Sequence, residues 1–281
     1  MQHRPFGSSG VLVPVVGEGT WNMEQDTRAE AIRAIRRGLD LGITHVDTAE
    51  MYGSGSVEQL VAEAIAGRRG DVFLVSKVLP NNASRSGTLA ACERTLARLK
   101  TDYLDCYLLH WPGEHPLEET IRAFEELERA GKIRSFGVSN FDARELEEAV
   151  RIAGTGRIAC NQVLYHLEER SVEHEVLPAC KRLGAPLVAY SPLGSGNFPS
   201  SSSHAGRALA AIAEKHGASP RQIALAFLMR DQATFVIPKA SRVEHVEDNA
   251  KASSVTLDAN DIAAIDAAFP RPRRRSGVPM L

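Results

Sequence analysis

"AIRAIRRGLDLGITHVDTAEMYGSG", residues 31–55, is the stretch on which the fold turns. Its first half keeps apolar residues at helical spacing, and "ITHVDT" (43–48) then reads as a strand. Where that strand should run into a bland turn, the chain places Asp47, Glu50 and Tyr52, followed by Gly53 and Gly55. A helix, a buried strand and a chemically loaded turn make one unit of an α/β protein, with reactive groups at the strand's C-terminal end.

The same alternation runs outward in both directions. Further strand candidates are 13–21, 72–78, 103–110, 133–140, 158–165, 185–193 and 234–240. Helical patterns fill 27–41, 56–66, 86–99, 117–130, 142–150, 172–183, 205–230 and 258–268. Asp142 before "ARELEEAV" and Ser219-Pro220-Arg221-Gln222 are helix-start signals. Strands recur roughly 30 residues apart until a longer gap before the eighth, one β/α unit each. Eight such units predict a (β/α)8 TIM barrel, with "RPFGSSGVLVP" (4–14) as a short N-terminal β-hairpin plugging its N-terminal end. No Pro- or Gly-rich linker divides the chain, so 1–281 reads as a single domain. The alternative, an open doubly wound sheet, needs a glycine-rich first turn. "GEGTWN" (17–22) lacks the third glycine, and no GxxxxGK[ST] occurs.

Composition narrows the function. Among the 281 residues 43% are hydrophobic, and the net charge of −2 offers nothing to nucleic acid or to an anionic membrane. No apolar run approaches the ~20 residues that span a bilayer, and "MQHRPFGSSG" lacks the layout of a signal peptide. Cys92, Cys106, Cys160 and Cys180 have no CxxC spacing and read as reduced core thiols of a cytoplasmic protein; a disulfide is the lesser alternative. The nine histidines contain no HExxH, so no metal is expected.

In a barrel the strand ends converge on one face. They deliver Gly19, Thr20 and Trp21, Asp47 with Tyr52 beyond it, Lys77, His110-Trp111, Ser139-Asn140, Asn161-Gln162, Tyr190-Ser191-Pro192 and Lys239. Singly each has a bland reading as a cap, a surface lysine or a packed ring. Together a buried Lys and a buried Asp require each other. A lysine ammonium beside a phenol is expected to lower the phenol's pKa. Tyr52 then reads as a general acid, with Asp47 holding the Lys77 that tunes it.

"HVDTAEMYGSG", "FLVSK", "YLDCYLLHWP", "GVSNF", "NQVLYH", "AYSPLG" and "VIPKA" occur in the order and spacing of the aldo-keto reductases, which the chain resembles over nearly its whole length. The wording is most like bacterial members that reduce small 2-oxoaldehydes such as methylglyoxal. The resemblance implies NADPH-dependent reduction of a small-molecule carbonyl substrate by a monomer, with a tetrad of Asp47, Tyr52, Lys77 and His110. It implies a cofactor extended across the barrel mouth, against Gly19, Thr20, Trp21 and Asp47, with Tyr190 stacked on the nicotinamide. Ser139, Asn140 and Gln162 would bind the carboxamide. Ser191, Pro192, Leu193, Gly194 and Ser195 would follow the pyrophosphate, with "GSGNFPSSSSHAG" (194–206) folding over it. Ile237, Lys239, Ala240 and Ser241 would meet the adenosine end, with Asp248 and Asn249 near the adenine. Trp21, Tyr52, His110 and Trp111 would line the substrate pocket.

Two departures stand out. Where many family members carry an Arg for the 2′-phosphate, this chain has His245; the expectation is weaker discrimination against NADH, corrected by His245→Arg. After the last helix comes only "PRPRRRSGVPML", which predicts an open pocket and a solvated "RPRRR" tail (271–275). Two other functions fit the same residues: a non-catalytic NADPH-binding redox sensor, or an enzyme running mainly as an alcohol or sugar dehydrogenase.

Overall fold

The structure is a computed structural model describing residues 1–7, 10–272 and 277–281. Strands β1 (His3–Pro5) and β2 (Leu12–Pro14) pair antiparallel. Eight parallel strands follow: β3 (Glu18–Gly19), β4 (His45–Asp47), β5 (Phe73–Val78), β6 (Cys106–Leu109), β7 (Phe136–Ser139), β8 (Ile158–Leu164), β9 (Leu187–Tyr190) and β10 (Thr234–Ile237). Each pairs with its sequence neighbour. Parallel bridges Val16–Val236 and Gly19–Lys239 join β10 back to the β3 segment, closing the barrel. At the seam Gly19 must be glycine: a Cβ would lie 2.6 Å from the Ile237 carbonyl oxygen.

Helices α1 (Arg28–Asp40), α2 (Ser56–Ala64), α3 (Arg85–Leu99), α4 (Leu117–Arg129), α5 (Ala143–Ala153) and α6 (Val176–Leu183) cover the outside. So do α7 (His204–His216), α8 (Pro220–Leu228), α9 (Val243–Lys251) and α10 (Ala259–Ala268). With helices outside and side chains inside, β4 to β8 are buried at every position, which is why they read as apolar runs.

Four expectations need correction. The run 13–21 is two strands, its first residues pairing in the hairpin and only Glu18–Gly19 joining the barrel. The pattern 205–230 is two helices: Gly217 ends α7 at φ 59°, and the Ser219/Gln222 capping box with Pro220 starts α8. Helix α6 begins later than 172, after a 3₁₀ turn at Ser171–Glu173. Helix α9 was not foreseen; it buries only Val246 and Asn249 and so carries almost no apolar period.

The hairpin delivers Phe6 into the N-terminal end of the barrel. Its ring is fully buried, 4.9 Å from Phe73, 5.2 Å from Phe235 and 5.7 Å from His45. All four cysteines are buried and free. Among the described residues no helix is long and apolar enough to cross a membrane. Arg273, Arg274 and Arg275 of the "RPRRR" run lie outside the described residues.

Candidate active site

The turn after β4 is built to present Tyr52. Gly53, Ser54 and Gly55 all have positive φ (52°, 54° and 92°), and a Cβ on Gly55 would meet the Arg98 side chain at 2.6 Å. Arg98 is held in turn by the buried Glu58, 2.5 Å away. Glu50 accepts from the Leu79 backbone N–H (2.8 Å) and from Asn82 Nδ2 (2.9 Å), tying this turn to the one after β5. The carboxylate at position 50 therefore fixes a loop.

Register sets the floor of the site. Asp47 pairs with Val75, so Lys77 stands one inward-facing step higher on β5. Lys77 Nζ donates to Asp47 Oδ1 at 2.6 Å, to the Thr48 carbonyl at 2.9 Å and to Tyr52 Oη at 3.1 Å. Gln162 Nε2 donates to Asp47 Oδ2 at 2.7 Å. The ammonium is fully buried and all three of its protons are used. Burial alone would strip its proton, but Asp47 and Tyr52 outweigh that and hold Lys77 above its ordinary value. Burial pushes the Asp47 carboxyl up, against the pull of Lys77 and Gln162. The short bond to Asp47 is what holds the Lys77 ammonium charged despite full burial.

Tyr52 corrects an expectation. Burial pushes its phenol above the ordinary value; Lys77 pulls it down, and Asp47 pushes it up again. The net direction is upward, because desolvation of a phenolate outweighs one cation that is already shared with a carboxylate. His110 lies beside it, ring centroids 5.9 Å apart. Burial, then Lys77, hold His110 well below its ordinary value, so the ring is neutral. Its Nδ1 is buried without a partner.

Along the rim, Asn140 takes φ 59° and donates Nδ2 to the His110 carbonyl at 3.0 Å. Tyr190 Oη donates to Asn140 Oδ1 at 3.0 Å, and Ser139 Oγ to the Gln162 carbonyl at 2.9 Å. These groups surround a cleft at the mouth of the barrel. It brings together Gly19, Thr20, Trp21, Asp47, Tyr52, His110, Trp111, Ser139, Asn140, Gln162, Tyr190, Ser191, Ile237 and Lys239. Pro192, Leu193 and Gly194 line a smaller neighbouring groove with His166 and Phe198. Ser195, at φ 48°, continues that segment.

Ala240, Ser241, His245, Asp248 and Asn249 are not in the cleft wall. Asp248 is committed to Ser219 Oγ (2.8 Å) and Gln222 Nε2 (2.7 Å), and Asn249 is buried. The 194–206 segment is folded at its far end, where Ser203 caps α7 and a Cβ on Gly206 would sit 1.9 Å from the Ser200 carbonyl oxygen.

The sequence reading missed several groups. Met51, Met280 and Leu281 line the cleft, so Met280 and Leu281 add apolar groups to a wall that the sequence reading built without them. Nothing in a five-residue stretch without periodicity signals that position. Asp26 binds both Lys239 Nζ and Ser241 Oγ, bridging the β3–α1 and β10–α9 connections. Arg242 follows directly on Ser241 and bonds His245.

Residues 15–269 match the family model described as the Aldo/keto reductase family. The chain is 42% identical over 284 residues to the methylglyoxal reductase YeaE of Escherichia coli K12, covering 100% of both chains. It is 35% identical over 265 residues to a glyoxal reductase of Bacillus subtilis strain 168, covering 92% of this chain and 90% of that one. An aldo-keto reductase of Klebsiella pneumoniae, solved in complex with NADPH, superposes with a TM-score of 0.92 at 40% identity over 100% of both chains. A full-length match joined to a closed eight-stranded barrel makes this chain an oxidoreductase of the aldo-keto reductase family.

Proposed function

We propose that the chain reduces aldehydes and ketones to alcohols with NADPH, small 2-oxoaldehydes such as methylglyoxal among them, and that Tyr52 is the proton donor. The methylglyoxal and glyoxal reductases it resembles support the substrate class. The donor set fits the cofactor: amide and hydroxyl groups of Ser139, Asn140 and Gln162 suit a carboxamide, the half-buried Tyr190 ring suits a stacked heterocycle, and Lys239 suits a phosphate. NADPH supplies the hydride when bound.

The residues of this chain do the rest. The carbonyl oxygen sits between Tyr52 Oη and His110. A buried N–H without an acceptor is a costlier orphan than a lone pair, so the His110 proton belongs on Nε2, where it donates to that oxygen. Negative charge developing on the oxygen is met by both donors. An alkoxide is a far stronger base than a phenolate, so a phenol with a raised pKa still gives up its proton. Lys77, 3.1 Å away, stabilises the phenolate left behind. Trp21, Met51, Trp111, Met280 and Leu281 give the cleft an apolar wall beside this exchange.

The chain works as one domain, as a monomer in the cytoplasm. Its exposed large apolar side chains are few, and four buried free thiols suit a reducing compartment. The observation that carries the function is the Asp47–Lys77–Tyr52 relay on the cleft floor. Tyr52→Phe is expected to lower methylglyoxal-dependent NADPH consumption by at least about 100-fold. NADPH affinity, read by fluorescence titration, should stay within about twofold. Retained turnover would remove Tyr52 from the chemistry.

A further inference from the structure

Burial sorts the sulfur of this chain. There are four cysteines and five methionines. Cys92, Cys106, Cys160 and Cys180 are all buried. Burial pushes the Cys92 and Cys180 thiols up to about 12. A hydrogen bond with Cys106, then burial, holds Cys160 well above its ordinary value. Peroxides react with thiolate, so these groups are shielded both by packing and by their protons. Met23 and Met229 are buried too, at 0% and 5% exposure.

Three thioethers reach solvent: Met1, Met51 at 38% exposure and Met280 at 57%. Met1 precedes strand β1, far from the strand ends, whereas Met51 and Met280 both line the cleft. Met51 directly precedes Tyr52, in the turn that presents the phenol. With Trp21 and Trp111 they make the wall of indoles and thioethers. A thioether has no proton to lose, so access decides whether it is oxidised. Leucine would fill the same wall without that chemistry.

We propose that Met51 and Met280 form a reversible oxidation site, through which a hydroperoxide shifts the cleft from aromatic towards small polar carbonyl substrates. The effect on substrate choice rests on the carbonyl-reductase reading above; the oxidation itself does not. The thioether sulfur attacks a peroxide oxygen. One S–O bond forms and the O–O bond breaks; the sulfur gives up two electrons and the rest of the peroxide leaves as water or an alcohol. A dithiol reverses the step, taking the oxygen as water and becoming a disulfide. The sulfoxide is polar and chiral where the thioether was apolar and flexible. An aromatic aldehyde loses a sulfur–ring contact and must desolvate a strong dipole. A small oxoaldehyde covers less of the wall and loses less.

The test treats the full-length protein with hydrogen peroxide and removes the oxidant by desalting. Peptide masses are then read, and NADPH consumption is followed with benzaldehyde and with methylglyoxal. Met51 and Met280 should each gain one oxygen while Met23 and Met229 stay reduced, which also shows that the fold survived. KM for benzaldehyde should rise about fivefold or more with kcat within about twofold, and KM for methylglyoxal should stay within about twofold. Methionine sulfoxide reductases with a dithiol should restore the first value. In Met51→Leu/Met280→Leu, compared with its own untreated sample, the peroxide effect on KM should vanish. Met1 still oxidises in that variant and controls for sulfur outside the cleft. Equal oxidation of Met23 and Met229, an unchanged benzaldehyde KM once Met51 and Met280 are fully oxidised, or the same rise in the double variant would each overturn the site. So would a kcat loss shared by both aldehydes. If untreated protein turns over neither aldehyde, the carbonyl-reductase reading falls and takes the substrate effect with it, while the peptide masses still decide the oxidation site.

Discussion

Burial and a neighbouring ammonium act on the Tyr52 phenol in opposite directions, and burial wins. The proposed reduction consumes the protonated phenol, so raising its pKa widens the range in which that acid is loaded. With saturating NADPH, kcat/KM for aldehyde reduction is expected to stay level from pH 7 to 9, because the phenol titrates above its ordinary value of 10. A tenfold fall per pH unit beginning below pH 8 would contradict this. Alcohol oxidation needs the phenolate and should rise across the same range. The proposed mechanism gives Lys77 two separable duties, neutralising buried Asp47 and supporting the Tyr52 phenolate. Lys77→Met should cost about 3–5 kcal/mol in urea unfolding, since Asp47 would be left buried with Gln162 as its one side-chain donor. It should also reduce turnover by about 100-fold or more. The double variant Lys77→Met/Asp47→Asn should recover most of the stability and none of the activity. Recovery of activity would mean that the ammonium is not needed beside the phenol.

Among the elements, the hairpin and the strand-end turns divide the labour between the two ends of the barrel. Phe6 packs on Phe73, His45 and Phe235, at or near the starts of β5, β4 and β10, while Tyr52, His110 and Tyr190 stand at or beyond strand ends. Phe6→Ala is therefore expected to destabilise by about 3–5 kcal/mol in urea unfolding. Its kcat should stay within about twofold of wild type, as bottom-end packing serves stability. A large kcat loss at unchanged stability would mean that the two ends are coupled. Most helices were visible from their apolar spacing and caps, as with the capping boxes of Asp142 and Ser219. Helix α9 was not, because one buried valine and one buried asparagine leave no period to detect.

On the scale of the whole molecule, closure of the barrel buries groups that would otherwise ionise. His45 is fully buried, and both ring nitrogens lack a partner. Burial, with the Lys77 ammonium, lowers its pKa to about 3. The unfolded chain takes up this proton near pH 6.5 and the folded protein does not. The associated stability is thus present above pH 6.5 and is lost as pH falls from there toward 3. Between pH 7 and pH 5 this one residue accounts for a loss of about 2 kcal/mol. His45→Leu should shrink the difference in unfolding free energy between those two pH values by that amount. An unchanged difference would show that His45 is protonated in the fold.

The linear chain by itself determined the repeat of eight β/α units, the end of the barrel at which polar strand-end groups gather, and that Asp47, Tyr52, Lys77 and His110 are among them. Periodicity, caps and motif order are local properties, written in neighbouring residues. Only the tertiary structure decided that the phenol's pKa rises, that Met280 and Leu281 wall the cleft, and that Arg242 pairs with His245. Each of these depends on how much water is excluded and on which distant side chains meet, and both follow from three-dimensional packing.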